Sequence, residues 1–272
     1  MACTVWLSGC ALNLPDLDSP KETWSRIRLP TALYVLTAYG PPPPFRAEAL
    51  TLYIEDDSPQ ETGLLPYPDP TPSPPLSQRL AVLDPSRDVI HLARPCQFVR
   101  SRADSAGCTA AAWGPQRFAT DSVEAMHQAI DLLKQQTGAL RFRLVGVGGG
   151  GIMAALLAAR RVDVTELVTV GAPLDASRWG ARQRSISVDP ATAPKVDMGR
   201  LRFVQQVHFV GDKDPIATPR MLDGFVASQP PGKPVEIFVV QGADHTCCWT
   251  KHWPDMLKSA ELVFARPSDP IQ

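Results

Sequence analysis

The chain has 272 residues, 44% of them hydrophobic and 20% charged, with a formal net charge of -1. That length and apolar content suit one large core, and the near-neutral balance offers no electrostatic footprint for nucleic acid or anionic lipid headgroups. No apolar run approaches the roughly 18 residues that a membrane-crossing helix needs, so any membrane attachment has to be through an anchor.

At the start, Leu7-Ser8-Gly9-Cys10 has the small-residue pattern of a bacterial lipobox, in which Cys10 is lipidated after cleavage. Met1 to Gly9 carries no Lys or Arg and is barely long enough for the apolar run of a leader. Either the leader is truncated or the match is accidental. Residues 1–28 are expected to form a leader remnant, lipobox-like segment and linker, and residues 29–272 a single domain.

Ala32 to Tyr39 and Leu50 to Glu55 read as strands, the first stopped by Gly40 and the prolines at 41–44. A second proline-rich stretch, Pro66 to Pro75, reads as a rigid surface loop. Leu76 to Leu83 is a short helix and Asp88 to Ala93 a strand. Asp121 opens a helix with Glu124 at capping-box spacing; Val123, Met126, Ile130 and Leu133 form its apolar face, and Gly138 ends it. Phe142 to Val147 is a strand followed by a helix from Ile152 to Arg161. Leu167 to Val170, Gln206 to Val210 and Val235 to Val240 continue the strand series, with helices near Pro219 to Ala227 and Trp253 to Phe264. Leu174 to Lys195 has no strong period. This alternation predicts an α/β fold with a mostly parallel sheet covered on both faces.

The stretch richest in chemical information is Leu144-Val145-Gly146-Val147-Gly148-Gly149-Gly150-Gly151-Ile152-Met153. It reads as the strand, sharp turn and helix start of a nucleophile elbow, G-x-S-x-G, with Gly148 where the serine belongs. Downstream, Asp214 follows the Val207 to Val210 strand in Gly211-Asp212-Lys213-Asp214-Pro215, and His245 follows the last strand in Gln241-Gly242-Ala243-Asp244-His245. Elbow, acid, histidine is the chain order of an α/β-hydrolase triad. From about Leu50 to Leu262 the sequence resembles the α/β-hydrolase superfamily, with Gly148, Asp214 and His245 at the nucleophile, acid and base positions.

Tyr53-Ile54-Glu55, Ala93-Arg94-Pro95-Cys96-Gln97 and His245-Thr246-Cys247-Cys248-Trp249 carry a further resemblance, to small bacterial secreted hydrolase-like lipoproteins. It implies a periplasmic protein, lipid-anchored to the outer membrane if Cys10 is modified. It also places the oxyanion hole at the Gly149 N–H and the Asp56-Asp57 loop. Lookalikes carry Gly-Asp-Gly after the glutamate, so Asp56 and Ser58 replace both glycines. A carboxylate there opposes the charge that an oxyanion hole must stabilise.

Loss of Met1 to Gly9 would remove Cys3 and commit Cys10 to lipid, leaving Cys96, Cys108, Cys247 and Cys248. In an oxidising periplasm these form two bridges, and strain between adjacent cysteines favours Cys247 and Cys248 each reaching Cys96 or Cys108. Four reduced, buried thiols are the alternative.

The sequence therefore leads to a degenerate hydrolase, a pseudoenzyme that binds a protein partner or small ligand in its former cleft. Gln97, Trp113, Trp249 and His245 are the cleft candidates, and buried tryptophan packing is the alternative for the two indoles. A hydrolase of ester-type substrates with weak or serine-independent activity is the second reading. Gly146, Gly148 and Gly151 also match the dinucleotide fingerprint G-x-G-x-x-G, but Thr169-Val170-Gly171-Ala172-Pro173 lacks the ribose-binding carboxylate. No cofactor is implied. Asp212, Asp214 and His245 lack a third ligand at metal-binding spacing. His208 and His91, inside apolar strands, are expected to be satisfied core residues; His127 rides a helix face and His252 a surface run.

Overall fold

A computed structural model describes residues 23–57, 69–174 and 197–266. Cys10 with its lipobox, Ser58 and most of the segment from Leu174 to Lys195 lie outside the described residues.

One eight-stranded sheet organises the chain: β1 (Ser25–Pro30), β2 (Val35–Gly40), β3 (Ala49–Ile54), β4 (Val89–Leu92), β5 (Arg141–Val147), β6 (Val164–Val170), β7 (Gln205–Gly211) and β8 (Val235–Val240). Their spatial order is β1-β2-β4-β3-β5-β6-β7-β8. β1 and β2 pair antiparallel, β2 meets β4 antiparallel, and every pairing from β4 to β8 is parallel. After β4 the chain returns to the other side of β3 to lay down β5. Strand order therefore reverses between β3 and β5, and the crevice beyond the carboxyl ends of such strands is where ligands bind in open α/β sheets.

The alternation of side chains along a strand divides the core in two. Leu50, Leu52, Ile54, Phe142 and Leu144 face one side, packing with the helices α3 (Thr120–Thr137) and α4 (Gly149–Ala158) and with Leu222 and Phe225 of α6 (Pro219–Ala227). Tyr53, Val145, Val147, Val168, Val170 and Phe209 face the other, against α1 (Leu76–Leu83) and α7 (Trp249–Phe264). α4 is buried all round, which explains why its sequence has no polar face. Two single-turn helices, α2 (Ala110–Trp113) and α5 (Met198–Leu201), complete the described elements.

β1 was not expected. It starts at Ser25, ahead of the anticipated domain start, and registers on β2 from Ser25 opposite Gly40 to Pro30 opposite Val35. Its polar positions hide the strand signal: Arg26 and Arg28 both bind Asp104, at 3.1 and 2.8 Å. The start of α3 also differs from expectation. Ala119 occupies the N-cap without a side-chain bond, and Glu124 accepts from Gln128 one turn on instead of closing a capping box. Gly138 ends the helix in the left-handed conformation, its N–H donating to Lys134 O at 2.8 Å.

Candidate active site

The turn between β5 and α4 is an elbow in its backbone as well as its sequence. Gly148 has φ 50° and ψ -120°, and its N–H donates to Val170 O at 2.9 Å. Glycine holds this conformation without the strain that a side chain would bring. Gly150 has a different requirement: a Cβ there would stand 2.9 Å from Glu55 C, because α4 begins hard against the end of β3.

The space beside Gly148 is filled. A Cβ built on it would overlap the Asp56 carboxylate, standing only 2.5 Å even from the farther oxygen, Oδ2. Asp56 Oδ1 accepts from the Gly149 N–H and from the Asp57 N–H, both at 2.7 Å. These donors, one after the elbow and one in the β3 loop, are the two expected to make the oxyanion hole. Asp56 was expected to oppose an oxyanion from nearby; its own Oδ1 takes both donors. Oδ2 accepts no hydrogen bond among the described residues. Burial, reinforced by the charge of Asp57, pushes the Asp56 carboxyl up to about 6, against the opposing influence of His245 and the two backbone donors.

Glu55 fixes this loop. Fully buried, it accepts from Asp56 N at 3.0 Å, and from Ser77 N and Gln78 N at 3.0 and 3.1 Å in the first turn of α1, where the helix dipole favours a carboxylate. His91 Nε2 lies 3.1 Å from Glu55 Oε2, while its Nδ1 is buried without a partner. His91 is thus a core residue only half satisfied. Gln97 spans the loop's other side, donating to Asp56 O at 2.7 Å and accepting from Arg94 N at 2.9 Å. Asp57 points away from the elbow into an ion cluster, bonded to Arg94 and, at 3.1 Å, to Arg117 Nε. Burial pulls the Arg117 guanidinium down to about 10, partly offset by Asp57.

Asp214 and His245 lie within hydrogen-bonding distance of each other. Asp214 Oδ1 accepts from Ile216 N and Ala217 N at 2.8 and 2.9 Å, and Oδ2 lies 3.0 Å from His245 Nδ1. An acceptor fixed in this way holds the proton on Nδ1 and leaves Nε2 for chemistry. Burial pulls the His245 pKa down, but the Asp214 hydrogen bond and the charges of Asp56, Asp214 and Asp57 outweigh it, and the net shift is upward. Asp212 instead accepts from Gly242 N at 2.7 Å, a turn contact. His208 bonds to Thr169 at 2.8 Å, and complete burial lowers its pKa to about 3, so it is a neutral core residue.

The cleft candidates separate. Gln97 and Trp113 line a hollow with Asp57, Arg94 and Arg117. Trp249 is only 1% exposed and donates its indole N–H to His245 O at 3.2 Å, so it supports the histidine from the core and lines no cleft. The favoured disulfide pairing is overturned as well: Cys96 joins Cys108, and Cys247 joins Cys248. The loop after β4 returns within 12 residues to bring Cys108 back to Cys96, and among the described cysteines the adjacent pair has only each other. Arg94 and Glu55 lay within the quoted motifs, but neither their role nor that of Arg117 had a sequence signal beyond its charge.

No family model matches the chain, and no curated protein matches it in sequence. Solved structures do. An esterase of Pyrococcus furiosus superposes with a TM-score of 0.60 at 12% identity, over 89% of this chain and 90% of that one. An α/β serine hydrolase without a lid from Xanthomonas campestris gives 0.55 at 14%, over 91% and 97%. An α/β serine hydrolase homologue from Coxiella burnetii gives 0.53 at 13%, over 88% and 95%. With the sheet order and elbow described above, these likenesses establish that the chain has the α/β-hydrolase fold.

Proposed function

We propose that this protein is a hydrolase with weak, serine-independent activity, in which His245, oriented by Asp214, handles the protons and the Asp56 carboxylate stands in for the elbow side chain. The observation that carries this reading is the 3.0 Å Asp214–His245 bond at an elbow where a carboxylate fills the nucleophile's space. Acid, base and an anionic oxygen are together, and only the serine is missing. The structural likeness to esterases and serine hydrolases supports the same class.

A pseudoenzyme that binds a partner or ligand in its former cleft is the second reading. It is favoured by one fact: Asp56 saturates both oxyanion donors, so an ester carbonyl has nowhere to place its charge. A dinucleotide is disfavoured for a related reason, since the N–H at the start of α4 that would meet a phosphate is already bonded to Asp56. Two disulfides among the described cysteines support an oxidising, extracytoplasmic setting, and we propose the bacterial periplasm, with anchoring through Cys10.

The test is turnover of a panel of p-nitrophenyl esters by the wild type and His245→Ala. The expected result is slow turnover that the variant loses. Removing the nucleophile of subtilisin costs about 10⁶ in turnover and leaves about 10³ to 10⁴ over water, so ester rates should fall in that residual range. Equal rates for the two proteins on every substrate would refute the hydrolase and leave the binding module.

A further inference from the structure

We infer that Cys247 and Cys248 form a second chemical site, a thiol–disulfide exchange site for a dithiol reductant, whose state governs the loop that carries His245. The two bridges among the described residues differ in what they can contribute to folding. Cys96–Cys108 joins residues 12 apart, and closing such a loop removes freedom from the unfolded chain. Cys247–Cys248 joins neighbours, so it closes no loop and gives little stability by that route. Access differs as well: Cys96 is 1% exposed, whereas Cys247 is exposed and Cys248 half-buried. Exposed disulfides are the labile ones in thiol exchange.

Cys248 is the residue equipped to leave. It occupies the N-cap of α7, a helix of 16 residues with no acidic side chain in its first turn, and its side chain makes no capping bond in the disulfide. Sulfur released there as a thiolate meets the backbone N–H groups of the first turn and the positive end of the helix, and both favour the anion. The exposed Cys247 is the one attacked: a reductant thiolate bonds to Cys247 Sγ, the bond between the two cysteines breaks, and its electron pair goes to Cys248 Sγ. The reductant's second thiolate then displaces Cys247 Sγ, and the reductant leaves as its own disulfide. Of the two protons that the dithiol gives up, one ends on Cys247 and the other in solvent, while Cys248 stays a thiolate. The same residues hold the histidine. Asp244 Oδ1 accepts from Thr246 N and Cys247 N at 2.8 and 2.7 Å, and the Trp249 indole donates to His245 O at 3.2 Å. Between these two attachments Cys248 stands at φ 78°, a left-handed conformation uncommon for a residue with a side chain. The bond to Cys247 keeps it there. Reduction frees Cys248 to return to the right-handed region, which shifts the joint between the turn and α7 and moves the His245 ring against Asp214.

The experiment takes the full chain with its free thiols first blocked by iodoacetamide, exposes it to graded dithiothreitol, quenches with N-ethylmaleimide and locates the label by peptide mass. The expected result is two labels on the Cys247–Cys248 peptide at dithiol concentrations at least ~10-fold below those that label Cys96 and Cys108. In the same samples, NMR should show the His245 ring resonances and their titration midpoint shifting as the adjacent pair is reduced. Cys247→Ser/Cys248→Ser should take no label at these positions and give one His245 spectrum with or without dithiol. Labelling of Cys96 and Cys108 before or together with the adjacent pair would overturn the exchange site, as would iodoacetamide on Cys247 and Cys248 before any reductant is added. Reduction of the pair with the His245 resonances unmoved would overturn its hold on the histidine. Both readouts are independent of hydrolysis.

Discussion

Restoring the serine alone should damage the protein, and restoring it together with a glycine at 56 should repair part of that damage. In Gly148→Ser the new Cβ falls inside the Asp56 carboxylate, 2.5 Å from Oδ2 and nearer still to Oδ1 and Cγ. The carboxylate must leave, breaking the two 2.7 Å bonds to Gly149 N and Asp57 N. Hydrogen bonds to a charged group are worth about 1.5–3 kcal/mol each; with water taking over some of the donors, we expect a loss of about 2–4 kcal/mol. A side chain at φ 50° adds about 1–3 kcal/mol of backbone strain. The sum, about 3–7 kcal/mol, lowers Tm by roughly 6–25 °C for a chain of this size. Asp56→Gly loses the same two bonds, so the sum of the single variants counts that loss twice and Asp56→Gly/Gly148→Ser counts it once. A double-mutant cycle by urea denaturation should therefore show about 2–4 kcal/mol of favourable coupling. Only the double variant has an open hole, a serine and the His245–Asp214 pair, and it alone should gain p-nitrophenyl ester turnover that His245→Ala removes. Additive stabilities to within about 0.5 kcal/mol, or an undamaged Gly148→Ser, would refute the claim that Asp56 occupies the serine's place.

The Asp56 pKa, about 6 folded against an ordinary 3.8, makes a pH prediction. A carboxyl raised on folding gives stability that is present below the lower value and lost as pH rises through the higher one. Asp56→Asn should therefore gain on the wild type between pH 4 and 6 and keep that gain above it, as followed by urea midpoints across that range; parallel pH profiles would contradict the assignment. In Asp214→Asn the His245 pKa should fall, since both a hydrogen bond and a charge that raise it are gone; an unchanged imidazole titration by NMR would show that Asp214 does not orient the ring. Cys96→Ala/Cys108→Ala opens a loop of 12-residue separation and should cost about 3 kcal/mol, visible as a lower Tm that a reductant lowers no further through this bond.

Much of the framework was legible because it depends on local pattern. β8 and α6 fall on the expected residues, and the strand β5 and the helix α1 differ by a residue at most. The order elbow, Asp214, His245 led to a hydrogen-bonded pair because a parallel sheet delivers successive strand ends to one edge. Other features lacked such a signal. In β1 the arginines serve a distant aspartate, so the alternation is masked. The disulfides depend on where the loop after β4 turns back, which no periodicity encodes. The contact between Asp56 and Gly149 joins residues 93 apart in sequence, through loops whose meeting is fixed only by the β3–β5 pairing.

That last contact changes what the two departures from the hydrolase pattern mean. Taken separately, Gly148 is a lost nucleophile and Asp56 a spoiled oxyanion hole, two defects in one site. In three dimensions they form one arrangement, since the space emptied at 148 is the space that the carboxylate from 56 enters. Each residue requires the other: an aspartate at 56 cannot reach the hole past a serine at 148, and a glycine at 148 without Asp56 leaves two inward-facing N–H groups to water. The pair also keeps the electrostatic requirement of the fold. The elbow still presents an oxygen beside the start of α4, His245 is still held by Asp214, and the negative charge that an ordinary hydrolase develops only in its transition state is present here at rest above about pH 6. A hole already filled by its own carboxylate can stabilise an oxyanion only on that carboxylate.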